Sequence, residues 1–233
     1  MIVQMKPEEI NVFWQSNNQT TWEYVLGKYM SRVKWRNREL ENELENEFNK
    51  VKCLDDIKKF KDVKNWYEFM LEKYFRWKFT DGRIYAGRKT EFEIKYASNQ
   101  VCLENMIEAI LQESNQADAQ TMIALTREID GLAVPAGSGF LALLLPKLYG
   151  TVDRYIVENI KVIEPFKNHP LIKYIKLTAI DNTDFESLTK IFRNKADELN
   201  KKFSTNDWTP RKIDKVLWAI RQPRKPRISK YHP

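Results

Sequence analysis

The sequence is poor in the residues that build metal centres and disulfide frameworks. It holds two cysteines, Cys53 and Cys102, and two histidines, His169 and His232, in 233 residues. The cysteines form no C-x-x-C pair and neither histidine stands in a ligand motif, so no metal site is read from these residues. Two thiols in a chain of this length suit a reducing compartment, and an intracellular place, cytoplasm or nucleoid, is expected. Long apolar runs are also missing. The densest stretch, roughly 135–145, is about half the length needed to cross a bilayer, which excludes a membrane span there. Met1 to Met5 lacks the basic region and apolar run of a secretory signal. No internal repeat is visible.

What is present is charge and helical periodicity. The chain is 30% charged and 42% hydrophobic, with a formal net charge of +7, which favours an anionic partner without identifying one. Its length suits one large domain or two intimate lobes.

Residues 117–160 organise the rest. Met122, Leu125 and Ile129 share a helical face, and Gly131 is a stop signal. After Gly131 to Val134, Pro135 suits the first turn of a second helix over about 135–145. Its first part is small, with Ala136, Gly137, Ser138 and Gly139, which permits close approach of a neighbouring backbone; Phe140 to Leu145 is apolar almost all round. A tight helical hairpin clusters backbone N–H groups, which serves either as a phosphate site or as a packing corner. Asp153 then precedes the apolar pattern Tyr155, Ile156, Val157 and Ile160. An aspartate there is a helix cap, and a carboxylate so held also suits stabilisation of developing positive charge.

Around this core the remaining sequence is mainly α. Residues 35–50 read as a charged helix with Leu40, Leu44 and Phe48 inward and Glu39, Glu41, Glu43, Glu45 and Glu47 outside, facing away from any nucleic acid. The segment 54–78 ends in Tyr74-Phe75-Arg76-Trp77-Lys78, where rings alternate with cations, either a nucleic-acid strip or an amphipathic helix. At 79–97, Asp81-Gly82 and the alternation of Phe92, Ile94 and Tyr96 predict a small β-hairpin, with an irregular excursion as the alternative. Helices follow at 100–113, within 161–182, from a Thr183–Glu186 capping box to about 201, and from Thr209-Pro210 onward. The basic tail RQPRKPRISKYHP is either a polyanion-binding or a solubilising end.

The segment GLAVPAGSGFLALLLPKLYGTVDR resembles the helix–hairpin–helix of the HhH-GPD superfamily of base-excision DNA glycosylases. There a hairpin of the form L-P-G-V-G precedes a small-residue helix, and a Val-Asp pair opens the next one. Gly131-Leu132-Ala133 occupies the G-V-G position and Val152-Asp153 the Val-Asp position, with alanine in place of the last glycine. The resemblance implies a two-lobed helical fold, with 100–164 as the hairpin lobe and 1–99 with 165–233 as the other. It implies Asp153 as the catalytic aspartate and Gly131, Leu132, Ala133, Val134 and Ala136 as the phosphate grip, with a monovalent cation there and no other cofactor. The four cysteines of the iron–sulfur relatives are lacking. The lysine of bifunctional members is replaced by Pro135, eighteen residues before Asp153, which implies a monofunctional enzyme using water; Lys147 is a spatial alternative. The implied partner is double-stranded DNA, bound by a monomer. Candidate DNA contacts are Arg76, Lys78, Arg154, Arg224 and Lys225. Candidate rings for a base pocket are Trp66, Tyr67, Trp77, Trp208 and Trp218. The competing readings are a non-catalytic nucleic-acid-binding module and a helical protein-interaction domain using the acidic helix at 39–47.

Overall fold

The computed structural model describes residues 5–51, 65–114 and 118–221. Every regular element among them is helical. The chain runs through α1 (Pro7–Trp14), α2 (Gln19–Arg32) and α3 (Trp35–Phe48). The next helix, α4, is α-helical over Trp66–Phe69, widens to a π-helical turn over Met70–Phe75, and returns to α over Arg76–Lys78. Then come α5 (Gly82–Tyr96), α6 (Gln100–Glu113), α7 (Ala119–Arg127) and α8 (Val134–Leu144). Next are α9 (Arg154–Ile160) and the short α10 (Glu164–Lys167) and α11 (Pro170–Lys173). The long α12 (Asn182–Phe203) and α13 (Pro210–Ala219) complete the fold. No helix among the described residues is long and apolar enough to cross a membrane.

The expected β-hairpin at 79–97 is a helix. Asp81 caps it, accepting from the Arg83 and Ile84 amides at 3.0 and 3.4 Å, so the Asp-Gly pair starts a helix rather than turning a strand. Phe92 and Tyr96 are buried one helical turn apart, while Ile94 between them is 79% exposed. Three apolar residues at alternate positions fit a strand. Only two of them are used, at the i,i+4 spacing of a helix.

The start of α12 also differs. Asp181 is its cap and Asp184 closes the capping box, two residues before the predicted Thr183. Thr209 and Pro210 open α13 as expected, with the Thr209 hydroxyl accepting from Lys212 N. The predicted start at Leu54 and the basic tail, with Arg224 and Lys225, lie outside the described residues.

At the centre sits α8, in which Ala136 to Leu144 are all buried. It packs on α7, α3, α12 and α13, while α13 packs on α2, α9 and α12. Its glycines allow close approaches on two sides. A Cβ on Gly137 would meet Ile123 and Thr126 of α7 at 3.0 and 3.2 Å; one on Gly139 would meet the Tyr74 hydroxyl, Lys78 Nζ and the Trp77 ring of α4 at 3.0, 3.1 and 3.3 Å. The π-turn shifts the register of α4, and the Tyr74 hydroxyl donates to the Ala136 carbonyl of α8. Beyond α8, Gly150 passes beneath the junction of α12 and α13. A Cβ there would lie 2.8 Å from the Pro210 carbonyl oxygen and 2.9 Å from the Phe192 ring. Gly150→Ala is therefore expected to cost roughly 1–3 kcal/mol through forced backbone displacement, read as a lowered midpoint in thermal or urea denaturation.

Candidate functional site

Asp153 is the N-cap of α9. Its Oδ1 accepts from the Tyr155 and Ile156 amides at 2.8 and 3.1 Å. No hydrogen bond to Oδ2 is present among the described residues, and the half-buried carboxylate borders an open cavity of about 390 Å³. That volume lies within the range of small-molecule sites.

The strand of chain leading to Asp153 is clamped twice. Ser138 Oγ, on the small-residue face of α8, accepts from Val152 N at 2.9 Å and donates to the Pro135 carbonyl at 3.0 Å. Asp214 of α13 accepts from Thr151 N at 2.5 Å. The small residues thus do more than permit packing, since one of them holds the backbone that presents the aspartate.

The floor of the cavity is a buried ionic network. Arg211 donates from Nη1 to Asp214 at 3.0 Å and to Thr151 Oγ1 at 3.1 Å, and from Nη2 to Glu41 at 2.7 Å and Glu45 at 3.2 Å. Glu41, only 1% exposed, also accepts from the Tyr29 hydroxyl at 2.7 Å and from Trp77 Nε1 at 3.1 Å. Lys215 reaches Glu45 at 2.6 Å. Burial pushes the Asp214 carboxyl up to about 6, against the opposing pull of Arg211 and the Thr151 amide. The expectation that Glu41 faces outward is therefore corrected. In a run with glutamate at every second position, Glu41 and Glu45, one turn apart, turn toward the inner face of α3, and Arg211 makes that burial tolerable.

The walls bring together several predicted residues. Trp77, Lys78, Arg154 and Trp218 line the cavity with Asp153 and Pro135. Arg154 lies 4.8 Å from the Tyr155 ring centre, and Arg221 lies 3.2 Å over Trp218. Tyr29, Tyr155, Glu41, Arg211 and Asp214 are additions that sequence reasoning missed. The i,i+3 pair Arg211–Asp214 was visible in the sequence, but nothing there distinguished it from a surface pair.

Other predicted residues sit elsewhere. Trp66 is buried against Phe48 and Phe69, Tyr67 stacks on Phe92 at 5.7 Å, and Trp208 packs on Trp22, so none of these rings lines the cavity. Their aromatic surface is used by the core. Arg76 pairs with Glu72 and borders an adjoining groove that shares Asn37 and Thr80 with the cavity. Lys147 is exposed and does not line the cavity, which removes it as a substitute nucleophile there.

The hairpin has the expected left-handed glycine, Gly131, at φ +85°. Ala133 is exposed, Leu132, Val134 and Ala136 are buried, and the amides of Gly131, Ala133 and Val134 have no acceptor among the described residues. The Ala136 amide is closed on the Ala133 carbonyl at 2.8 Å, so it is unavailable to a phosphate and leaves the predicted grip. No group of three or more His, Cys, Asp or Glu among the described residues is arranged to hold a metal ion.

Lys78 also lines the cavity. It is half-buried between α4 and α8, 5.6 Å from the Trp77 ring centre, and forms no ion pair among the described residues. Burial pushes its ammonium down to about 8; Asp153 works against that shift and Arg211 adds to it.

Comparison with protein-family models, curated proteins and solved structures finds no match.

Two stability measurements test this site. Arg211→Met leaves Glu41 and Asp214 buried without their counter-ion, and a loss of about 3–5 kcal/mol in urea unfolding is expected. Lys78→Met is expected to stabilise the protein at pH 7 by about 1–3 kcal/mol, because an ammonium disfavoured in the folded state is removed. The folded pKa of about 8 lies below the ordinary 10.5. The gain is therefore full below pH 8 and vanishes as pH rises to about 10.5, where the unfolded lysine also loses its proton.

Proposed function

We propose that the protein is a DNA N-glycosylase that removes a damaged or modified base by hydrolysis, with Asp153 as the catalytic carboxylate. The observation that carries this reading is the placement of Asp153: one oxygen is fixed by two amides at the start of α9, and the residue lines a cavity that Trp77 and Trp218 also line. The reading rests on this geometry and on the hairpin resemblance, not on a shared fold with a known enzyme.

In this proposal an extruded base enters the cavity, at an unstacking cost of a few kcal/mol that is smallest for a damaged or mismatched pair. Rings that stack on any base hold it. As the N-glycosidic bond breaks, positive charge develops on the sugar, and the Asp153 carboxylate stabilises it and orients the attacking water. The free amides of Gly131, Ala133 and Val134 would receive a backbone phosphate. Arg154 at the cavity and Arg221 over the Trp218 ring would add sequence-independent contacts. The cationic surplus of +7 fits a polyanionic substrate.

Asp153→Asn is the decisive variant, because asparagine also caps a helix and preserves the start of α9. Base release from duplex DNA, measured against a panel of methylated, oxidised, deaminated and hypermodified bases, is expected to fall by about 10²-fold or more. Binding to the same DNA is expected to survive. Unchanged base release would remove Asp153 from the chemistry, and DNA binding with no base release by the wild type would leave a binding module.

A further inference from the structure

The cavity holding Asp153 adjoins a second, larger space. Asn37 and Thr80 line both it and an open groove of about 880 Å³ bordered by α3, α4 and the start of α5. Neither Asp153 nor the hairpin borders this groove. Its charge decides what it suits. Three cations, Lys34, Arg36 and Arg76, are matched there by three carboxylates, Glu39, Glu43 and Glu72, so the +7 surplus of the chain is absent. Carboxylates repel a phosphate backbone, and a balanced set steers no ligand of either sign. Glu43 pairs with Lys73 and Glu72 with Arg76, whereas Glu39 forms no ion pair among the described residues. Asn37 donates its amide nitrogen to the Trp77 carbonyl at 3.0 Å, and its side-chain oxygen accepts no hydrogen bond among the described residues. The Thr80 hydroxyl makes none there either. Beside these polar groups the Trp35 ring is 67% exposed, while the other six tryptophans of the chain are buried or half-buried.

We propose that the groove extends the base pocket and takes a neutral, hydroxyl-rich substituent carried by the base. This rests on the glycosylase reading, which puts the base beside Asp153. A substituent that leaves such a base past Asn37 and Thr80 enters the groove. Its hydroxyls donate to the Asn37 oxygen and the Glu39 carboxylate and exchange a hydrogen bond with the Thr80 hydroxyl. The apolar face of a saturated sugar ring lies on the Trp35 indole, which gives that ring a reason to stand in water. The cavity of about 390 Å³ is already of small-molecule size, so a base altered only by a methyl group, an oxo group or a lost amine leaves the groove to water. The substrate class is then a base enlarged by a glycosyl group or a similar polyol.

The test uses the full-length protein and two matched probes, hydroxymethylcytosine and the same base with a glucosyl group on its hydroxymethyl oxygen, each as the free deoxynucleoside and within duplex DNA. In titration calorimetry the glucosylated nucleoside is expected to bind about 10-fold or more tightly than its smaller partner. Trp35→Ala is expected to abolish that preference without changing affinity for the smaller nucleoside, and Trp35→Phe to keep most of it, since a ring remains. Trp35 is exposed, so both variants are expected to fold. Base release from the duplexes is expected to show the same preference, expressed in KM. Equal affinity for the two nucleosides, no binding of the glucosylated one, or an equal loss of both in Trp35→Ala overturns the assignment of the groove. Release of both bases without preference overturns it too and leaves the glycosylase reading standing. A binding preference that depends on Trp35, with no base released from any duplex, overturns the glycosylase reading and leaves the groove as a glycosyl-binding site.

Discussion

A guanidinium buried where α3, α13 and the chain before α9 converge holds the site together. Arg211 is 5% exposed and its donors reach Glu41, Glu45, Asp214 and the Thr151 hydroxyl. Each ion in such a cluster loses several kcal/mol of hydration on burial, and only mutual attraction with saturated hydrogen bonding offsets it. The cluster is therefore poor evidence of added stability, since apolar residues of similar volume would often serve as well. Its value is geometric. Asp214, held by Arg211, takes the Thr151 amide, and two residues later the chain must present Asp153.

The same cluster sets the electrostatic conditions of the cavity. Three carboxylates, Glu41, Glu45 and Asp214, share two cations, Arg211 and Lys215. Burial pushes the Asp214 carboxyl up to about 6, against the pull of Arg211 and Lys215. Burial displaces Lys78, which lines the same cavity, the other way, to about 8. An acid and an amine moved toward neutrality in one open cavity are unfavourable for folding and useful for chemistry, and perturbed groups concentrate at functional sites for that reason.

How much of this the sequence disclosed can be traced residue by residue. The hairpin glycine, the helix begun near Pro135 and the cap at Asp153 were legible because each depends on local backbone chemistry: a left-handed φ, a missing N–H, and a short carboxylate before free amides. Glu41 and Arg211 were not legible, because their pairing joins residues 170 apart and nothing local marks a glutamate as inward, and Tyr29 enters the network through Glu41. The false hairpin at 79–97 arose where two periods coincide, since Phe92 and Tyr96 satisfy both spacing two and spacing four. Trp66 and Trp208 were misjudged because a buried ring and a base-stacking ring have the same composition; only the neighbours Phe48 and Trp22 separate the cases.

Lys78 reaches the cavity wall through two packing devices on different helices, not through a local signal of its own. Pro135, at the head of α8, lines the same cavity as Lys78. Gly139, one turn further along α8, opens the space into which the lysine of α4 extends. The π-turn over Met70–Phe75 rotates Trp77 and Lys78 relative to the start of that helix, and the Tyr74 bond to the Ala136 carbonyl fixes the result. A glycine on one helix and a register shift on another thus bring an amine into the cavity that holds the Asp153 carboxylate. Neither signal points to chemistry when read alone, because a glycine and a wide helical turn are each common packing devices. Their coincidence around a lysine with no counter-ion among the described residues is what packing does not require.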